Sequence, residues 1–274
     1  MKYAVVTTFH KAGYDLYGKR MIQTFIKNWP KDVTLYVYHQ DIVPTETAPN
    51  LVLKDLNQVT NLISFKTKWK DDPKARGWTD DSTKRHDDKR KKVGFKWDAI
   101  RFSHKVYAIF DCVRNCDADV LYWMDADMVC HSPISIEFIT KMSPSNIDLG
   151  YLGRKDKFSE CGLYSLNLKS EETQKFLKEF QRVYDDAETG IFTMREWHDS
   201  FVFDEVRSRF PNLKSYNWSD GLITGEGHPL INCEWGAYLD HLKGDERKRL
   251  GKSKTPDLKM TRTESYWRTA QRRM

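Results

Sequence analysis

Val120-Leu121-Tyr122-Trp123-Met124-Asp125-Ala126-Asp127 is the stretch on which the fold turns. An unbroken apolar run of this length reads as a strand buried on both faces, the pattern of a parallel sheet. The strand runs directly into two carboxylates one residue apart. In open α/β sheets, ligands bind beyond the carboxyl ends of the strands. Two carboxylates held there are costly to bury without a cation. A hard divalent ion bridging them to substrate phosphates removes that cost. Alternation predicts that both side chains point to the same side if extension continues through Ala126.

The neighbouring segments agree with a parallel sheet. Residues 3–8 form a short β-branched apolar run, broken by Gly13. Helical spacing follows at Leu16, Met21, Phe25 and Ile26, and Pro30 stands where a stop is expected. Residues 33–38 read as the next strand, so the order is strand, helix, strand. A long helix is predicted over 95–113, with Trp97, Ile100, Val106, Ile109, Phe110 and Val113 apolar. Two further strands are expected at 148–153 and 162–168. A helix over 170–184 has Ser170 as its N-cap with Glu171 and Glu172 in the first turn, and another covers 197–210. The expected class is α/β, with a mostly parallel central sheet flanked by helices.

Composition narrows the function classes. The chain has 274 residues, 31% charged and 39% hydrophobic, which suits a soluble globular protein of one large or two small domains. A net charge of +6 permits a polyanionic partner without requiring one. No window approaches the ~18 consecutive apolar residues of a membrane span, and the first residues are too short and β-branched for a signal peptide. The five cysteines, Cys112, Cys116, Cys130, Cys161 and Cys233, include no paired CxxC units, which argues against a structural zinc site. Reduced thiols in a cytoplasmic protein are the simple reading. Residues 66–96 mix basic and acidic side chains with Trp69 and Trp78 and read as a charged surface excursion. That segment is a solvated loop, or else a lid or acceptor-binding segment. Residues 252–274 are polar and basic and read as a surface or frayed tail beyond a domain spanning 1–251.

The Asp-x-Asp pair also opens phosphatases of the haloacid-dehalogenase type, but there it follows the first strand and usually continues into Thr. Here it follows roughly the fourth, and Met128 and Val129 come next. Taken with three other segments in order, it resembles the GT-A glycosyltransferases, most closely the retaining glycogenin-like and lipooligosaccharide galactosyltransferase-like group. The other segments are Ala4-Val5-Val6-Thr7-Thr8, Lys96-Trp97-Asp98-Ala99-Ile100-Arg101-Phe102, and His241-Leu242-Lys243-Gly244-Asp245-Glu246-Arg247.

The resemblance implies a single GT-A (Rossmann-like) domain that moves a sugar from a nucleotide-diphosphate sugar, most often a uridine one, to an acceptor hydroxyl with retention. It assigns Asp125, Asp127 and His241 to a metal, Mn²⁺ or Mg²⁺; one His with two carboxylates tilts toward Mn²⁺. Thr7, Thr8 and His10 would touch the nucleoside, with Tyr14 or Tyr17 stacking on the base. Arg101, with Lys96 behind it, would hold the nucleotide-sugar, and Asp125 would share ribose contacts. Glu160 and Cys161 stand where the family's Asn-Ala-Gly strand has Asn and Ala, with Gly162 in register. Asp199 matches a donor-sugar Asp, and Ser200 replaces the usual Gln. Gly244 lets the backbone approach the diphosphate, which Lys243 and Arg247 would meet. The acceptor is a carbohydrate or, given the basic segments including Arg262, Arg268, Arg272 and Arg273, DNA. A non-catalytic nucleotide-sugar-binding protein and a metal-dependent phosphatase remain the alternatives.

Overall fold

The structure, a computed structural model, describes residues 1–79, 93–222 and 228–271. Its strands are β1 (Tyr3–His10), β2 (Thr34–Gln40), β3 (Leu51–Asp55), β4 (Arg76–Trp78), β5 (Val93–Asp98), β6 (Val120–Met124), β7 (Met128–Cys130), β8 (Leu149–Tyr151), β9 (Leu163–Asn167), β10 (Ser215–Asn217) and β11 (Leu239–His241). Seven of them make the central sheet, in the order β10-β8-β9-β6-β1-β2-β3. β1 pairs in parallel with both β2 and β6, β2 with β3, and β10 with β8. Only β9 runs against its neighbours in that sheet. The class is therefore α/β with a mostly parallel sheet, as expected.

Side-chain alternation divides the core. Val6, Leu121 and Trp123 face one layer, built with the helices Ala99–Asn115, Glu171–Asp185 and Asp199–Ser208. Val5 and Tyr122 face the other, against the helices Lys19–Asn28 and Ile136–Met142. All five residues of β6 are buried, as an apolar run inside a parallel sheet requires.

Three expectations change. The helix predicted over 95–113 begins at Ala99, because the Asp98 carboxylate accepts the Arg101 N–H at 2.9 Å and caps it there. Its supposed first turn is β5, paired with β4. Extension does not continue through Ala126. β6 ends at Met124, and Met128 N–H closes a turn onto the Asp125 carbonyl at 3.1 Å. The tail is not frayed where described: Trp267 is fully buried and donates its indole N–H to the Gly236 carbonyl at 2.7 Å. The excursion is also tied down in part, since Ala75 is buried and Trp69 packs edge-on to Phe192 at 4.7 Å. Its residues 80–92, and Arg272 and Arg273, lie outside the described residues.

Removing Trp267 takes away a large fully buried side chain. Trp267→Ala should cost about 3–5 kcal/mol of folding free energy, read as a lower urea midpoint; an unchanged midpoint would mean the tail does not pack.

Candidate active site at the carboxyl edge of the sheet

The carboxyl ends of β1, β2 and β6 open onto a cleft of about 690 Å³. His10 ends β1 and Gln40 ends β2, and both line it; Asp125 follows β6. Backbone pairing fixes the turn through Asp125 and Asp127. Asp125 N–H donates to the Gly162 carbonyl at 2.8 Å, and Leu242 N–H to the Asp127 carbonyl at 3.0 Å. β11 lies antiparallel to β7, with His241 opposite Met128. These contacts bring His241 to residues more than a hundred positions earlier in the chain.

His241 is buried, and its Nε2 lies 3.0 Å from Asp127 Oδ1 and 3.7 Å from Asp125 Oδ2. One ligand atom from each of the three residues falls within 4.8 Å of the others. The donor set is two oxygens and one imidazole nitrogen, which fits a divalent ion of the Mn²⁺ or Mg²⁺ kind. The glycine at 162 is needed for this seat. A Cβ there would stand 2.4 Å from His241 Cε1, so any larger residue would push the ring away.

Glu160, His228 and His241 form a second cluster with metal-ligand spacing. Its chemistry argues against a cation. Leu230 N–H donates to His228 Nδ1 at 3.2 Å, so the neutral ring carries its proton on Nε2, the atom that faces Glu160. Burial lowers the His228 pKa to about 3 and keeps the ring neutral. Glu160 already faces two cations, Lys243 at 2.7 Å and Arg154 at 3.7 Å. Burial alone would raise the Glu160 pKa, but the Lys243 ammonium at 2.7 Å holds it below the usual carboxylate range.

Lysines balance the remaining carboxylates. Lys105 Nζ reaches Asp199 at 2.7 Å, Asp125 at 3.2 Å and the Cys161 carbonyl at 2.5 Å. It also lies 4.6 Å from the centre of the Trp123 ring. Burial would lower its pKa, yet Asp125 and Asp199 outweigh burial and raise it well above the lysine range. Asp199 is depressed in turn, chiefly by Lys105 acting against burial. Lys248 Nζ pairs with Asp127 Oδ2 at 3.1 Å and sits over the Tyr17 ring at 4.9 Å. Against burial, His241 and Lys248 hold Asp127 well below the usual range. Burial first, then Asp127 and Asp125, push Tyr17 up to about 12.

Of the residues singled out from the sequence, Thr8, His10, Arg101, Asp125, Asp127, Glu160, Asp199, His241, Lys243 and Gly244 line the cleft. Gly162 seats His241 from behind. Four others are held elsewhere. Thr7 is fully buried in the middle of β1. Tyr14 is buried and donates to Glu46 at 2.8 Å, leaving Tyr17 as the tyrosine at the cleft. Lys96 pairs with Glu196 at 3.1 Å. Arg247 is held by Asp257 through both Nε, at 2.6 Å, and Nη2, at 2.5 Å; Lys248 faces the cleft instead. Sequence reasoning passed over Lys105 and His228. Lys105 lies one helical turn beyond Arg101, on the same face, and that spacing was the available signal. His228 carried none.

No known protein-family pattern matches the chain, and no curated protein does. Several solved structures are similar in fold at low identity. The chain is similar to the WbbM bifunctional glycosyltransferase at 13% identity, over 79% of this chain and 38% of that one, with a TM-score of 0.46. It is similar to the glycosyltransferase GlyE of Streptococcus pneumoniae TIGR4 at 13% identity, over 79% and 45%, with a TM-score of 0.46. For mouse xyloside xylosyltransferase 1 the values are 10%, 79% and 85%, and 0.44. The matched part spans less than half the length of the first two. Among the described residues no helix is long and apolar enough to cross a membrane.

Lys105 is the only group whose ammonium touches both Asp125 and Asp199 among the described ion pairs. Lys105→Met should therefore destabilise by up to about 3 kcal/mol, because it leaves two half-buried carboxylates without their cation. Urea denaturation would register this as a lowered midpoint at constant slope; an unchanged midpoint would contradict the bridging role.

Proposed function

We propose that the chain is a metal-dependent glycosyltransferase that moves a sugar from a nucleotide-diphosphate sugar, with uridine diphosphate as the nucleotide, to an acceptor hydroxyl with retention. One observation carries the reading: Asp125, Asp127 and His241 converge within 4.8 Å at the carboxyl edge of a parallel sheet, inside a cleft that also holds Asp199, Lys105, Lys243 and Lys248. The order of motifs along the chain supports it independently of the geometry.

Asp125, Asp127 and His241 would hold the divalent ion, which when bound supplies Lewis-acid compensation for charge on the leaving diphosphate. The chain's own groups do the rest. Lys243 and Lys248 place two ammonium groups in the cleft, where they can meet phosphate oxygens that gain charge as the glycosidic bond breaks. Gly244, at φ +83° with open space around its Cα, lets a phosphate approach the backbone closely. Thr8, His10 and Tyr17 form the nucleoside end, and Arg101, stacked 4.8 Å over Phe95, lines the same cleft. Asp199 is kept ionised and aimed into the cleft by Lys105, which suits it to accept donor-sugar hydroxyls.

Retention needs attack and departure on one face of the sugar. In this reading the leaving diphosphate accepts the acceptor hydroxyl's proton, and the oxocarbenium-like charge forms beside Asp199. A carbohydrate is the acceptor we favour. DNA is the second acceptor class, and salt-dependent DNA binding would single it out.

A panel of nucleotide-sugars, incubated with and without Mn²⁺, tests the reading. Nucleotide release from one donor should require the ion and fall about 100-fold or more in Asp127→Ala. Metal-independent release, or full activity in the variant, would contradict it. So would the absence of metal-dependent nucleotide binding by calorimetry.

A further inference from the structure

Glu160 stands where the resembled family has Asn. Its carboxylate is buried to 4% exposure and held by Lys243 Nζ at 2.7 Å and Gly162 N–H at 3.2 Å. The same Oε1 lies 3.9 Å from His241 Nδ1. That ring nitrogen is buried and has no hydrogen-bond partner among the described residues. Gly162 backs the ring on that side: a Cβ there would stand 2.7 Å from Nδ1.

The other ring nitrogen explains the vacancy on Nδ1. Nε2 points between Asp127 and Asp125, at 3.0 Å and 3.7 Å. A ring that carries a single proton and faces no cation holds that proton on Nε2, where Asp127 Oδ1 at 3.0 Å accepts it. Nδ1 is then a lone pair facing a carboxylate. When Nε2 gives its lone pair to a metal, the ring's single proton must sit on Nδ1. The atom that then faces it is Glu160 Oε1.

We propose that Glu160 is the positioning residue that fixes His241 as the Nδ1–H tautomer, and so turns Nε2 into a metal ligand. The inference rests on the reading of His241 as a ligand. For a singly protonated ring the exchange is balanced: the Nε2–H bond breaks, the Nδ1–H bond forms, and the carboxylate that faces the proton changes from Asp127 to Glu160. A carboxylate behind a ligating imidazole makes it a better donor and sets its orientation. Through Oε1 the same residue also holds Lys243, so Glu160 ties the ligand and the phosphate-wall lysine to one anchor.

His228 completes this arrangement without competing for it. Its Nε2–H points at the other oxygen, Oε2, at 3.7 Å, and its Nδ1 is committed to Leu230. Oε1 is left to Lys243, the Gly162 N–H and His241.

Two readouts test the proposal without an activity assay. The first is the His241 tautomer in full-length wild-type protein, from nitrogen-15 NMR, before and after loading with diamagnetic Zn²⁺. The ring should pass from Nε2–H to Nδ1–H. A loaded protein that keeps Nε2–H overturns the proposal together with the reading of Nε2 as a ligand; the affinity measurement separates the two. The second is affinity for Mn²⁺ alone, from the paramagnetic resonance of the free ion. Glu160→Gln should weaken it about 10- to 100-fold, and Glu160→Asp should recover part of the loss. Unchanged affinity in Glu160→Gln overturns the proposal while the metal reading stands. Wild-type affinity in His241→Ala sinks both, so the two failures are told apart. Should Glu160→Gln not fold, the Mn²⁺ affinity of Glu160→Asp decides: wild-type affinity with the carboxylate drawn back overturns the proposal.

Discussion

Four carboxylates, Asp125, Asp127, Glu160 and Asp199, meet in one cleft at the end of a buried sheet. Like charges at that separation in a low-dielectric wall repel strongly, and each would neutralise itself by taking a proton unless a cation stood beside it. Three lysines serve the four: Lys105 for both Asp125 and Asp199, Lys243 for Glu160 and Lys248 for Asp127. The result is a set of ionised oxygens held in place before any ligand arrives. That pre-organisation is what a cation and a diphosphate both need.

The rest of the molecule serves to hold these groups at fixed distances. β6 brings Asp125 to the sheet edge, and β9, the one antiparallel strand of the sheet, begins beside Glu160 and Gly162. β11 brings His241, and its neighbour Asp240 is fully buried. Asp240 accepts Ser253 N–H at 2.8 Å, the Ser253 hydroxyl at 2.5 Å and the Tyr266 hydroxyl at 2.7 Å. Tyr266 in turn stacks on His131 at 4.0 Å. The C-terminal segment is thus a clamp on the strand that carries the imidazole, and the placement of one ring depends on residues near the end of the chain.

Much of this was legible in the sequence, for identifiable reasons. The apolar run ahead of Asp125 could be little else than an inner strand, and the helix-capping serine at 170 behaved as its chemistry requires. Asp125, Asp127 and His241 could be grouped because motif order stands in for proximity that spacing alone does not reveal. Lys105 was missed because a lysine inside an amphipathic helix reads as a solvated side chain; only the fold shows it buried against Trp123. Arg247 was misplaced because a basic run does not say which member faces inward, and Asp257 settles that by holding Arg247. The tail was misread because Trp267 and Tyr266 are too few to mark a packed segment among basic residues.

The central claim is that this cleft holds a divalent ion through one imidazole and two carboxylates. Electron spin-echo modulation of the protein loaded with Mn²⁺ tests it most directly, because nitrogen bonded to the ion leaves its own frequencies in the signal. The account predicts coupling to a single imidazole nitrogen that disappears in His241→Ala. No nitrogen coupling in the wild type, or the same coupling in the variant, would contradict it.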